Sequence, residues 1–435
     1  MKLVKVINDL FKHIFKDDIP SIHIRYKAID EDNIYKGDFD LFVAKENLDK
    51  ILEIIFEICS LNNINFYIDS RKYGKTKVVL FGAEQKKVVL EIWNFLDVKD
   101  VKGKISKFIN PNLTKQFIIK ENDQFKFDLE IEALYYVSHL YSKSKDLTNV
   151  DVKNRLEYYV SKLKKLETCK CNFIITLCES LLFEEVSIKE ASIKVNSYLV
   201  EIGFFDYNAL FSRFSLTTRI KMEINKVYAK FLVFTNIVPV VGPDGVGKTS
   251  VIEKAIQDSG NFRYYRFKKM YRKSFIYEIV HKVYKMKLNA KKMSFAKNEI
   301  DDKMAIWNLL ISVLNYPILF LYSVIGRKRI LSDRYFYEFL FSDLRDLTKT
   351  AYLNIYVRYL VKCIPNSYVF VHLDCDTDII LVRKNELSRN NIDFFRTHMF
   401  KIILMQKPMI YAYINTANNL NVNNNNLIDI LNLRS

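Results

Sequence analysis

The amino-acid sequence predicts an α/β protein: a parallel sheet with flanking helices over residues 231–435, preceded by a small α/β segment, 1–115, and a helical segment, 116–230. Three observations predict it. From about Phe231, β-like runs alternate with helix-like ones (FLVFTNIVPVV, TSVIEKAIQ, RILSD, SYVFVHLD, IYAYIN), the pattern of parallel strands joined by crossover helices. Between Phe125 and Lys230 the apolar residues recur at three and four positions, as in LEIEALYYVSHLYSK and VDVKNRLEYYVSKLKKL, and Gly203 is the sole glycine. Residues 1–115 mix short β-like runs (HIRYKAI, FDLFVA, INFYIDS, KVVLFG, KKVVLEIWN) with one helical run, LDKILEIIFEICSLN. The asparagine-rich NNLNVNNNN near the end of the chain reads as a surface turn.

At 435 residues, with 49% hydrophobic and 27% charged, the chain has the size of two or three globular domains, and disorder is not its default state. A net charge of +17 calls for an anionic partner, which a nucleotide, nucleic acid or an acidic membrane face would each satisfy. Of six cysteines only Cys169 and Cys171 lie close together, with no second pair for a zinc site, so all six are expected reduced and mostly buried. The opening MKLVKVINDLFKHIF lacks a long apolar stretch and a small-residue cleavage site, so a cytoplasmic location is expected. Met304–Gly326 carries no charge and is followed by Arg327, Lys328 and Arg329, which would suit a membrane span. Asn308, Asn315 and Pro317 interrupt it and a strand follows at once, so a buried core helix is expected instead and membrane contact is disfavoured.

Gly242-Pro-Asp-Gly-Val-Gly247-Lys248-Thr249 fits the P-loop pattern G-x-x-x-x-G-K-[ST] and lies between a β-like and a helical run, where the mechanism requires it. Gly242, Gly245 and Gly247 let backbone amides converge on phosphates, and the helix beginning near Ser250 adds its dipole. Lys248 reaches the β and γ oxygens, and Thr249 can ligate Mg2+. Pro239 sits badly, inside a strand that should be central and needs its N–H.

The loop GPDGVGKTS, the triplet Asp333-Arg334-Tyr335 after the strand ILSD, and VFVHLDCDTDIILVRKNELSRNNIDFF resemble the thymidylate kinase group over most of 236–431. The resemblance implies that Asp244 faces the acceptor's sugar hydroxyl, Asp333 organises magnesium, Arg334 clamps phosphate, and Arg383, Lys384 and Arg389 are lid cations over ATP. On the acceptor side the family's R-E-P-G-G-T-like turn is replaced by FRYYRFKKMYRKSF, so Arg263 and Arg266 are the acceptor-binding candidates. Residues 261–298 hold twelve Lys or Arg against one acid, Glu278, with interleaved aromatics that could also stack on nucleic acid.

In the front segment Asp38 and Asp40 stand two residues apart on one strand, and Glu91 lies in a later β-like run; three such carboxylates could share divalent metal. The arrangement resembles the nucleotidyltransferase fold, with Arg25-Tyr26-Lys27 where that family has a Gly-Ser turn. The expected function is thus an ATP- and Mg2+-dependent kinase acting on a nucleotide or related small phosphorylated acceptor, with a homodimer possible. The rival readings are a nucleotide-regulated module binding nucleic acid or membrane, and a nucleotidyltransferase working through the front carboxylates.

Overall fold

The structure, a computed structural model, describes residues 2–19, 21–24, 29–30, 34–35, 37–72, 74–82, 86–94, 96–99, 105–108, 117–121, 124–166, 172–204, 220, 223–224, 226–228, 230–232, 236–290, 304–326, 329–337, 361–362, 364–384 and 388–433. Arg25, Tyr26, Lys27, Cys169, Cys171, Arg327, Lys328 and the end of the basic arm, 291–298, lie outside them. The chain divides into two units, one of residues 1–55, 72–77 and 88–224 and one of residues 56–71, 78–87 and 225–435. Most of 1–115 and of 116–230 therefore share the first unit.

In that half of the chain the elements are α1 (Lys2–Lys16), β1 (Ser21–His23), β2 (Phe39–Val43), α2 (Leu48–Leu61), β3 (Phe66–Asp69), β4 (Lys75–Phe81), β5 (Lys87–Trp93), β6 (Leu96–Lys99), β7 (Ile105–Phe108), β8 (Ile118–Glu121) and β9 (Gln124–Phe127), then α3 (Leu129–Ser142), α4 (Val150–Lys164), α5 (Asn172–Leu182) and α6 (Ile188–Glu201). The sequence reading assigned nothing to α1, yet it buries Leu3, Val6, Ile7, Leu10, Phe11 and Ile14 at helical spacing. The first unit's strands run β5-β2-β1-β9-β8, with β2 parallel to β5 and Asp40 opposite Glu91. Ile22, Phe42 and Phe127 of this sheet share one apolar cluster with residues of α3 to α6, so the core does not break near residue 115. A capping box of Ser187 and Glu190 starts α6.

The second unit contains β10 (Ile237–Val241), α7 (Lys248–Ser259), β11 (Phe262–Arg266), α8 (Lys268–Arg272), α9 (Phe275–Ala290), α10 (Ala305–Ile325), β12 (Arg329–Asp333), β13 (Val369–Asp374), α11 (Thr377–Arg383), α12 (Arg389–Gln406), β14 (Ile410–Asn415) and α13 (Leu420–Asn432). Five parallel strands run β11-β12-β10-β13-β14, and β3 adds antiparallel beside β14. All five residues of β10 are buried, as expected of a central strand covered on both faces. Leaving β10 the chain passes to one side, through β11 and β12, and later to the other, through β13; that reversal opens a crevice at the carboxyl end of β10. Pro239 is accommodated because β10 pairs with β13 only from Val240 onward, so its missing N–H falls before that ladder.

Two expectations are corrected. The asparagine-rich stretch is not a turn but α13, with Asn423, Asn424 and Asn426 buried. The Asn419 side chain accepts from Asn421 N at 2.8 Å to cap it, Asn65 Nδ2 donates to Asn423 Oδ1 at 2.9 Å, and Asn424 Nδ2 donates to Asp258 at 2.6 Å. The Asn423 and Asn424 amides thus have partners, and Leu427, Ile430 and Leu431 supply the apolar face. The uncharged stretch does form a helix, α10, but not a core one: only 33% of its Trp307–Ile325 window is buried. It is the one helix among the described residues long and apolar enough to cross a membrane. Cys59, Cys178 and Cys375 are free and buried, and burial raises each thiol, Cys178 to about 12.

Candidate functional site

The glycine loop 242–247 leaves the end of β10 and closes directly onto α7, with Gly247 as its N-cap. A Cβ on Gly242 would lie 2.3 Å from the Leu373 carbonyl oxygen, so no larger residue fits between the loop and β13. Gly245 and Gly247 take φ of +89° and +95°, left-handed backbone that glycine adopts freely, and Val246 N donates back to Pro243 O at 3.3 Å across the turn. Thr416, just past β14, fastens the loop from outside: its hydroxyl donates to Val246 O at 2.6 Å.

Lys248 is buried in the mouth of the loop, where its ammonium donates to Gly242 O at 2.8 Å, Pro243 O at 3.0 Å and Asp244 Oδ1 at 3.3 Å. Thr249 and Ser250 follow on the exposed first turn of α7. Asp244 also accepts two bonds from Arg334 Nη2, at 2.7 and 2.9 Å, and one from Lys384 at 3.5 Å. Burial alone would raise the Asp244 carboxyl, but Arg334, Lys248 and Lys384 outweigh it and hold the group well below the usual carboxylate range. Arg383, the residue before Lys384, brings a guanidinium nitrogen within 3.8 Å of where a Gly247 Cβ would stand. Four cations therefore converge on one loop that holds a single carboxylate.

Asp333 ends β12 level with Val240 of β10, and its Oδ2 accepts from Tyr264 at 2.9 Å. Burial, and then the Asp333 carboxylate, push the Tyr264 phenol up to about 12, so it stays a donor. Asp333 Oδ1 is buried without a hydrogen-bond partner among the described residues. A buried carboxylate oxygen of this kind is one donor that a magnesium ion could use, with waters and phosphate oxygens in its other positions.

The basic candidates separate. Arg266 lies level with Asp333, at the carboxyl end of the sheet. Arg263 sits three residues earlier, level with Ile330, where its guanidinium donates to the Tyr322 hydroxyl at 3.4 Å, so the structure does not bring it to the loop. Arg389 is not brought there either: it is more than half exposed and pairs with Asp378 on α11. Sequence reading missed the buried pair of Asp374 and Arg396, with Nε to Oδ2 at 2.5 Å, and the Tyr413 hydroxyl that also donates to Asp374. It missed Tyr264 as the partner of Asp333 as well. No spacing signals either contact, because each joins different elements.

The front carboxylates do not form a metal cluster: among the described residues no group of three or more His, Cys, Asp or Glu could hold an ion. Asp38 is exposed ahead of β2; Asp40 is buried and accepts from Trp93 Nε1 at 3.1 Å. Glu91 pairs with the Lys75 ammonium, which takes the place a cation would occupy. Burial raises the Glu91 carboxyl, Lys75 opposes the shift, and Asp38 and Asp40 add to it. The adjoining cavity, lined by Asp40, Trp93, Tyr135, Tyr136, His139 and Lys143 among others, holds about 20 Å3, room for a water rather than a nucleotide. The chain matches no family model and no curated protein, so the loop of the second unit is read on its own geometry.

Proposed function

We propose that the second unit is an ATP- and Mg2+-dependent phosphotransferase acting on a nucleotide or a related small phosphorylated acceptor. The observation that carries this reading is the convergence of Lys248, Arg334, Arg383 and Lys384 on a glycine loop at a helix N-terminus, together with Asp333 Oδ1, which has no hydrogen-bond partner among the described residues. Phosphate oxygens offer Lys248 better acceptors than the Gly242 and Pro243 carbonyls it now contacts, so nucleotide binding draws it out along the loop. Thr249 and Asp333 would hold magnesium, which neutralises phosphate charge. Arg334 and Arg383 stabilise charge on the γ-phosphoryl oxygens as its bond to the leaving ADP oxygen breaks and the bond to the acceptor oxygen forms. Asp244 is freed from its cations as phosphate replaces it, which lets it accept from an acceptor hydroxyl. Arg266, level with Asp333, is placed for an acceptor phosphate. No side-chain nucleophile is needed, since the chemistry is positioning and charge neutralisation.

The test is acceptor-dependent ADP release over a panel of nucleoside monophosphates and sugar phosphates, for the parent and for Lys248→Ala. The variant should fold, because the loop's shape rests on glycines, and should lose turnover by roughly a hundredfold or more. Undiminished turnover in the variant would sink the assignment.

A further inference from the structure

Helix α10 carries an apolar face where a surface helix in water would carry a polar one. Its outward stripe is Trp307, Leu310, Leu314, Ile318, Leu321 and Ile325, each 46% to 78% exposed, repeating at three and four positions. Its inward face is mixed: Leu309, Ile311 and Leu319 are buried together with Asn308, Ser312 and Ser323, and Asn315 Nδ2 donates to Met270 O at 3.2 Å. A helix packed on a water-soluble domain is also apolar inside, but its outward face is polar. The stripe covers 18 residues' rise, roughly 27 Å, without a charge, far more continuous apolar surface than isolated exposed side chains provide.

Helix α9 repeats the theme. Phe275, Ile279, Val283 and Met286 are exposed along one line, and exposed Lys282 and Lys287 stand at its two edges with Lys285 beyond. Buried Met304, at the start of α10, packs on Val280 and Tyr284 of α9 and so joins the two helices at that end. At the other end Arg263 reaches Tyr322. Cations thus bracket the apolar stripe of α10 at both ends. Lysines at the margins of an apolar stripe can lay their stems along hydrocarbon and keep the ammonium among headgroups.

We infer that the outward face of α10, with the lysine-edged face of α9, docks the protein on a bilayer surface containing anionic lipid. The inference stands apart from the kinase reading, since none of these residues touches the glycine loop. Charge decides between occupants: two copies meeting through this face would set like-charged margins together, whereas anionic headgroups complement them. The helix lies on the membrane and does not span it, because its inward face is packed in the unit and the chain enters β12 at Arg329.

The experiment is co-sedimentation of the full chain with vesicles of phosphatidylcholine plus phosphatidylglycerol, and with phosphatidylcholine alone. Sedimentation velocity without vesicles accompanies it. The parent should bind the anionic vesicles more tightly, and added salt should weaken that binding. Leu314→Gln with Ile318→Gln should lower partitioning roughly tenfold or more while leaving the melting temperature and ADP release unchanged. Lys282→Gln with Lys285→Gln should lower it roughly fivefold per charge on anionic vesicles only. Absence of vesicle binding by the parent overturns the proposal. So does binding that the Leu314 and Ile318 changes do not affect, which would assign it to charge alone, as for nucleic acid. A parent dimer that binds no vesicles and is split by those same changes would make a second copy the occupant instead.

Discussion

Arg334 has a φ of +78°, a left-handed backbone that a side chain adopts at some cost, and it does so at the one place where its amide donates to Val240 O at 3.0 Å and its guanidinium grips Asp244. Replacing Arg334 by glycine and by alanine separates the two contributions. Both variants should lose turnover by roughly a hundredfold or more, while Arg334→Gly should be more stable than Arg334→Ala by about 1 kcal/mol, since glycine accepts the positive φ freely. Denaturant unfolding of the pair beside an ADP-release assay reads both; equal stabilities would mean the backbone there is not strained. At this scale the sequence exposed Lys248 and Thr249, because the glycine-loop pattern has those residue types at fixed spacing, whereas Asp244 and Asp333 came only from the resemblance of the loop and of Asp333-Arg334-Tyr335 to a known family. It could not separate Arg263 from Arg266, since strand register decides which of them reaches the carboxyl end of the sheet.

Among the elements, α13 turns a polar sequence into structure by satisfying it. The Asn419 cap and the Asn423 amide, which is bonded to Asn65 and to the Asn418 carbonyl, have separate consequences. Asn419→Ala should cost about 1 kcal/mol as a lost cap, and Asn423→Leu about 2 kcal/mol or more because it strands buried Asn65. Hydrogen exchange across 420–432 with a denaturant melt checks this, and the cap loss should show first in amides of the first turn. Composition misled here because asparagine favours turns whenever its amide has no tertiary partner, and those partners lie far away in sequence. The same holds for α10, whose uncharged run named a helix correctly but could not say which of its faces is covered.

On the scale of the whole molecule, each unit buries a histidine that burial keeps neutral: His23 against the Phe11 ring at 4.5 Å, and His372, whose Nδ1 lies 2.9 Å from the Tyr411 hydroxyl. Burial lowers both to about 4 from an ordinary 6.5; Asp374 opposes the shift at His372 and Arg396 adds to it. Between those values the unfolded chain binds protons that the folded chain does not. Stability is therefore full above about pH 6.5 and falls by on the order of a few kcal/mol as the pH drops toward 4. Melts across that range should show the loss, and His23→Leu should flatten it and raise stability at neutral pH, because neither ring nitrogen of His23 has a hydrogen-bond partner among the described residues. A pH profile of His23→Leu that matches the parent would refute the assignment. By itself the sequence determined the α/β class, most strands and helices, and the place of the glycine loop between a strand and a helix, since periodicity and glycine spacing are local properties of the chain. Only the tertiary structure decided that Lys75 claims Glu91, that Asp333 keeps an oxygen without a partner among the described residues, that Arg389 turns away to Asp378, and that α10 shows an apolar stripe outward. Those outcomes rest on contacts between residues distant in sequence, and on which face of each element its neighbours cover, neither of which a local pattern encodes.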